Sequence, residues 1–456
     1  MKKYLVLLGA ALLVMAVASP SMAQFKSWGH MEIATMWRSQ NDFNIGGYNA
    51  DGTAANPDRD LNEKWITQRF RYYLQYGDAK TVRAVIGYEA DSSNWGEDRW
   101  RQTDNTTELN PSGRMGTYGT DQIQSEIKHA FIEFVVPHTP LTVTAGLQGF
   151  YMGGRLWQSK DAPGLSVTAN FAPHKIRAFW WRERDQAFAN YNVNDTYGIY
   201  WDMTQKVFNI YAYGAYKNDQ DGVTHPTYYS DNPYWIGVGG GFRPGNFAFS
   251  AQAIYNGGKR DMVTGDDPKY KGYIGEILGT YKIGPGMSVS LEGYYASGHD
   301  ADDIDFKEYT YPSGSEAVWG MGNNRSIFFF YNSDFMYTAG KQLYASGLWY
   351  GRVNFEYNPT PWINLNFNYL YIGDTSKGTP GAGRTVNMIS APSSARQDTD
   401  EDHVGQELNV IAKLKIYQSL YYNIGFGYFF PGSVYDASNK SADNAYTGIT
   451  CLRYFF

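Results

Sequence analysis

The chain has 456 residues with 39 basic and 45 acidic side chains, a formal net charge of −6, and a single cysteine. An acidic chain without basic runs offers nucleic acid no footprint for its phosphates, and one thiol excludes an intrachain disulfide framework, a thiolate metal site and a c-type haem attachment. Aromatic residues are abundant, 39 Tyr, 25 Phe and 13 Trp beside 49 Gly, yet after the N-terminal segment no apolar run approaches the ~18 residues of a spanning helix.

Residues 1–23 open on Lys2 and Lys3, run through YLVLLGAALLVMAVA and end on SPSMA, the pattern of a secretory signal peptide cut after Ala23. The remaining chain, residues 24–456, loses those two lysines and carries a formal −8. From there the hydrophobic period is two. In WITQRFRYYLQY, Phe70, Tyr72, Leu74 and Tyr76 share one phase, and Arg69, Arg71, Tyr73 and Gln75 the other. VRAVIGYE places Arg83 and Glu89 on the polar phase, HAFIEFVV places His129 and Glu133, KIRAFWWRE places Arg177, and VSLEGYY places Glu292. LWYGRVNFEYNPTPWINLNFNYLYIG is a complete hairpin: Trp349, Val353, Phe355 and Tyr357 alternate with Arg352, Asn354 and Glu356, and after the Pro-containing turn Ile363, Leu365, Phe367 and Tyr369 alternate with asparagines. GQELNVIAKLKIY adds Glu407, Asn409, Lys413 and Lys415. The closing TCLRYFF sets Leu452, Tyr454 and Phe456 against Cys451, Arg453 and Phe455.

A soluble sandwich also alternates in this way. The apolar faces here end in aromatics at both strand ends, and short turns alternate strictly with long polar loops, as in membrane barrels. Short turns fall near 77–79, 137–140, 172–175, 204–207, 243–247, 283–287, 358–361 and 416–420. Longer connections fall near 39–63, 91–122, 153–163, 185–195, 218–232, 258–269, 297–344, 373–402 and 431–444. Eight turns and nine loops give 18 strands, so the expected fold is all-β, a single closed antiparallel transmembrane β-barrel with both termini on the periplasmic side. Segment 297–344, with its run RSIFFFYNS, is either a loop folded inward over the mouth or a further extracellular hairpin.

With the apolar phases facing lipid, Arg69, Arg71, Arg83, Glu89, Glu133, Arg177, Glu292, Arg352, Glu356, Glu407, Lys413 and Lys415 would line the pore. They either pair across strands or act as a selectivity ring, for which the neighbouring Arg69, Arg71 and Arg83 are the leading candidates. The acidic runs HDADDIDF and DTDED offer Asp300, Asp302, Asp398 and Asp400 as weak metal ligands, but without the ordered Gly and closing Glu of a calcium loop, and a solvated rim facing lipopolysaccharide is the simpler expectation. No His-Glu-x-x-His, nucleophile elbow or phosphate loop occurs, so neither enzyme activity nor a cofactor is expected. Leu452, Tyr454 and Phe456 would mark the closing strand and be read by the barrel assembly machinery.

QRFRYYLQY, HAFIEFVVPHTPLTVTAGLQGFYMGGRLW and VGQELNVIAKLKIYQSLYYNIGFGYFFPG resemble the alginate-export type of outer-membrane porin, from about residue 60 to the end. The resemblance implies an 18-stranded barrel in the bacterial outer membrane. Where that family usually reads Gly-Arg-Gln, this chain has Gly146, Leu147 and Gln148, and its inward phases mix Arg, Glu and Asn instead of being dominated by cations. A general channel for small hydrophilic solutes or ions is therefore expected. The alternative is a barrel scaffold for polysaccharide export or for docking a periplasmic electron carrier.

Overall fold

The computed structural model describes residues 25–39, 63–95, 114–115, 125–153, 156–185, 193–219, 227–300, 303–312, 323–330, 332–335, 346–376, 401–436 and 441–456. The expected leader and Asp302, Asp398 and Asp400 lie outside them.

In chain order the strands are β1 (Lys26–Ser39), β2 (Glu63–Gly77), β3 (Val82–Trp95), β4 (Arg114–Met115), β5 (Ser125–Val135), β6 (Leu141–Met152), β7 (Gln158–Phe171), β8 (His174–Asp185), β9 (Val193–Thr204) and β10 (Phe208–Asp219). They continue with β11 (Tyr228–Phe242), β12 (Phe247–Met262), β13 (Lys269–Gly284), β14 (Met287–Ala296), β15 (Leu348–Thr360), β16 (Ile363–Asp374), β17 (His403–Tyr417), β18 (Leu420–Pro431) and β19 (Ala445–Phe455). The two-residue β4 lies parallel to the end of β3. The other 18 pair antiparallel in sequence order, and β1 pairs with β19, so the sheet closes on itself. Closure leaves none of the 18 barrel strands as an edge strand of the sheet, the condition for a sheet to sit in hydrocarbon.

Burial alternates as the sequence pattern requires. On β11, Asp231, Trp235, Gly237 and Gly239 are buried while Ile236 and Val238 are exposed. The exposed set forms an outer belt of Leu291 (61% exposed), Ile236 (59%), Ile277 and Val353. Exposed Phe171, Phe208, Tyr281 and Trp362 flank the belt beside the short turns, and exposed Tyr216, Tyr255, Tyr273 and Trp349 flank it near the other end. An apolar belt between two aromatic girdles is the chemistry of a lipid-facing surface.

The eight short turns and nine longer connections occur where expected, but several strands outrun the expected loops. β7 begins at Gln158, inside the expected loop 153–163, β9 at Val193, β11 at Tyr228, and β12 runs to Met262. Beyond the belt both strand faces meet polar surroundings, so the period-two contrast fades while backbone pairing continues.

The described part of 297–344 adds no barrel strand and folds inward. Four consecutive residues, Ile327, Phe328, Phe329 and Phe330, are all buried, which a strand with one face to lipid would not allow. Phe328 and Phe329 stack on Phe429 of β18 at 5.1 and 5.6 Å between ring centroids, and Phe330 meets Tyr350 of β15 at 5.2 Å. Further back, the backbone of Phe306 pairs with Lys269 and Lys271 of β13 at 2.9 and 2.8 Å, covering the edge that β13 presents where β14 has ended.

Candidate functional site

The interior is organised by the inward loop on one side and by an ion-pair ladder on the other. The Glu407 side chain on β17 is wholly buried, and among the described residues no cation pairs with it. It instead accepts hydrogen bonds from Ser326 Oγ (2.6 Å) and from the backbone N–H groups of Ile327 (2.7 Å), Phe328 (3.0 Å) and Phe329 (3.1 Å), with Asn409 Nδ2 adding a fifth at 3.0 Å. A carboxylate thus satisfies a run of buried loop donors, for Ile327 and Phe328 as the acceptor of their N–H groups and for Phe329 beside Ser326 Oγ at 3.1 Å. Three further ties hold the same loop. Arg325 Nε reaches both oxygens of Glu292 on β14 at 2.8 and 2.9 Å, and Arg352 of β15 binds the same carboxylate from the wall at 2.5 Å. Lys413 Nζ donates to Asp334 at 2.6 Å, and Arg453 donates to the Ser333 carbonyl at 3.0 Å.

The ladder crosses β19, β1, β2, β3, β5, β6 and β7. Arg453 pairs with Glu32, and Glu32 takes Arg69 at 2.7 Å. Arg71 donates to Glu89 at 2.7 Å, and Arg83 to Glu133 at 2.7 Å. Lys128 bridges Glu89 (3.0 Å) and Asp161 (2.7 Å), and His129 meets Asp161 at 2.9 Å. Each member of the expected arginine cluster therefore has a carboxylate on an adjacent strand. Arg69, only 3% exposed, serves the wall more than the lumen.

Arg177 differs. Its Nη2 lies 3.3 Å from Ser166 Oγ and 3.5 Å from Gln148 Oε1, its guanidinium sits over the Phe150 ring at 5.2 Å, and no described carboxylate comes within ion-pairing distance. With Arg83, Glu133, Lys175, His30 and the stacked pair Trp28 and Tyr73 (5.4 Å, 9°) it lines a cavity of about 620 Å³. Arg83 and Glu133 offset each other, so Arg177 and Lys175 give this cavity an excess of positive charge. A second cavity of about 560 Å³ lies against β10 to β13, and a third of about 350 Å³, lined by Asp334, Lys413 and Arg453, lies below the inward loop.

The other expected residues occupy structural contacts. Glu356 accepts from Asn358 and Asn364 at 2.7 and 2.9 Å, and Lys415 caps the Trp362 ring at 5.4 Å. Leu452, Tyr454 and Phe456 are exposed on the outer face of the closing strand, and Phe456 exchanges backbone hydrogen bonds with Gly29 at 2.9 and 3.1 Å. Of the acidic runs, Asp300 donates its backbone N–H to Asp303 at 3.0 Å. Asp303 pairs with Lys307 and Asp305 with Lys271, whose hydrogen bond holds the Asp305 carboxyl below its usual range.

Sequence reasoning missed Lys128 and Asp161. Lys128 reaches the interior through a register shift at Gly87 and Tyr88 of β3, which turns both Lys128 and His129 inward. The signal was present: the exposed apolar phase passes from Ile127 to Ile132 and Phe134, from odd to even positions. Asp161 lay within an expected loop.

No protein-family model and no curated relative matches the chain. Solved barrels do. Pseudomonas aeruginosa OccK2 (OpdF) aligns over 95% of this chain and 98% of its own with a TM-score of 0.53 at 10% identity. OccK8 (OprE) of the same organism aligns over 94% and 98%, at 0.51 and 11%. Acinetobacter baumannii OccAB1 aligns over 96% and 99%, at 0.51 and 11%. The likeness is thus one of fold, to outer-membrane barrels over nearly their whole length, and the narrower likeness to alginate-export porins rests on the sequence segments alone.

Proposed function

We propose that the chain is an outer-membrane porin through which small hydrophilic solutes and ions diffuse passively. The observation that carries this reading is the pairing of an apolar, aromatic-girdled exterior with an interior whose unfilled space is walled by charged and amide side chains. A folded soluble protein has no use for that inversion, whereas a water-filled conduit needs it. Outer-membrane lipids and lipopolysaccharide surround the belt in this reading, a signal peptide delivers residues 24–456, and the barrel assembly machinery inserts them. Because most inward arginines are neutralised by carboxylates, a general conduit fits better than export of a polyanionic polysaccharide. The excess positive charge at Arg177 and Lys175 gives a modest preference for anions.

Planar-bilayer recording of the purified protein tests the proposal. Discrete conductance steps with a reversal potential displaced towards the anion potential in a salt gradient are expected. A folded barrel that inserts without conducting would refute the channel reading.

A further inference from the structure

We infer that the second cavity is a subsite for a neutral sugar ring, an inference that rests on the channel reading. Backbone register places Tyr211 of β10, Gly239 of β11, Gln252 of β12 and Glu276 of β13 side by side in one row across the inner wall. At ~4.8 Å between strands this row spans about 14 Å, on the order of a short oligosaccharide.

Glycine shapes the row. A Cβ at Gly239 would stand 2.4 Å from the Tyr211 hydroxyl, and one at Gly237 would stand 2.2 Å from the Tyr213 ring. The absence of side chains lets both rings lie along the wall instead of projecting across the lumen. Tyr200 joins them, its plane within about 21° of both at 5.9 and 6.0 Å. The loop residue Trp157 stacks on Tyr213 at 4.6 Å and 28°, so this platform receives a flat ring on its face. Tyr211 lines the cavity.

The polar groups complete the chemistry. Gln252 donates to the Gly153 carbonyl and to the Tyr213 hydroxyl at 2.5 and 3.2 Å, which fixes the side chain and leaves Oε1 to accept. Glu276 and Thr280 line the same cavity, and its charges are of both signs, with Arg243 and Lys282 near the turns. A pyranose presents a C–H face that packs on an aromatic ring and hydroxyls around its rim that each donate and accept. An aromatic face beside an amide and a carboxylate meets both demands. The volume of about 560 Å³ is that of a small-ligand site.

The test is single-channel recording with maltohexaose, using polyethylene glycol of similar mass as the size control and oligomannuronate as an acidic sugar. Maltohexaose should produce resolved, concentration-dependent current blockades that polyethylene glycol does not. Tyr211→Ala should weaken the blockade at least fivefold at similar open-channel conductance, with heat-modifiable mobility showing that the barrel is folded. Tyr211→Leu, which keeps apolar bulk without the ring face, should act alike, and Tyr211→Phe should retain most of the affinity. Conducting channels that maltohexaose does not block, or that it blocks equally in wild type, Tyr211→Ala and Tyr211→Leu, would overturn the sugar subsite. Equal or tighter blockade by oligomannuronate would overturn its neutral character. Loss of conductance in the wild type would refute the channel reading instead.

Discussion

Replacing Glu407 by Gln should release the inward loop. The carboxylate takes four loop donors on two oxygens, Ser326 and Phe329 on one and Ile327 and Phe328 on the other. Glutamine keeps one oxygen for Ile327 and Phe328 and turns its amide N–H₂ towards Ser326, whose hydroxyl can accept it while the Phe329 N–H keeps its 3.1 Å bond to Ser326 Oγ, so one buried donor, the Ser326 hydroxyl, loses its acceptor. At ~1–3 kcal/mol for a buried group left unsatisfied, docking weakens by about 1–3 kcal/mol. At ~1.4 kcal/mol per tenfold, that lowers the docked-to-undocked ratio by roughly fivefold to a hundredfold. The Arg325–Glu292 pair still tethers the loop, so the expected phenotype is intermittent opening instead of loss of the fold. Single-channel recording should show larger or noisier conductance, and limited proteolysis should reveal new cleavage within 323–335. Conductance, noise and cleavage identical to wild type in a heat-modifiable Glu407→Gln barrel would refute the argument that this carboxylate holds the loop.

Selectivity should follow the inward arginine that no described carboxylate reaches: Arg177→Gln should shift the reversal potential towards cations more than Arg69→Gln, and neutralising Asp398, Asp400 and Asp402, expected on the rim, should shift it least, because rim charges are screened within ~8 Å at physiological ionic strength. A larger shift from the rim would overturn the lumen assignment. Deleting Phe456 removes two backbone hydrogen bonds to Gly29 and the ring that lies 6.0 Å from Phe70; the yield of heat-modifiable barrel in outer membranes should fall severalfold, and an unchanged yield would remove this residue from the assembly signal. A cysteine at Val263, beside the longer connections, should be labelled by an impermeant maleimide on intact cells and one at Thr360 should not, with little background from the buried Cys451. Labelling at Thr360 alone would invert the barrel.

The barrel was legible because its signal is local: alternation between lipid-facing and inward residues repeats in every strand, as in Ile236, Val238 and their buried neighbours on β11. Inward residues could be chosen by phase, and Arg69, Arg71, Arg83, Glu133 and Glu292 all enter the interior network. Their partners could not be chosen, because a contact such as Arg325 to Glu292 or Ser326 to Glu407 depends on where a long loop lands, which no periodicity records. The bulge at Lys128 erases the phase locally, so the lysine that bridges Glu89 and Asp161 escapes a strict two-residue count. Gly239 shows the reverse case: a glycine in an otherwise regular strand is legible, but its use as a bed for Tyr211 appears only once neighbouring strands are in register.

The seam between β1 and β19 governs how the chain can reach this fold. Ile33 pairs with Leu452 and Gly29 with Phe456, contacts between residues more than four hundred positions apart. The other neighbours in the wall follow one another along the chain, none of their partners more than about 70 positions apart, so the earlier strands can associate progressively while two unpaired edges persist. Those edges are open templates for foreign strands, and only the terminal hairpin abolishes both at once. Closure is therefore a single late event with the largest loop-closure cost in the molecule. An unfolding transition should accordingly begin by parting β1 from β19, with amide protection along Lys26–Ser39 and Ala445–Phe455 lost together.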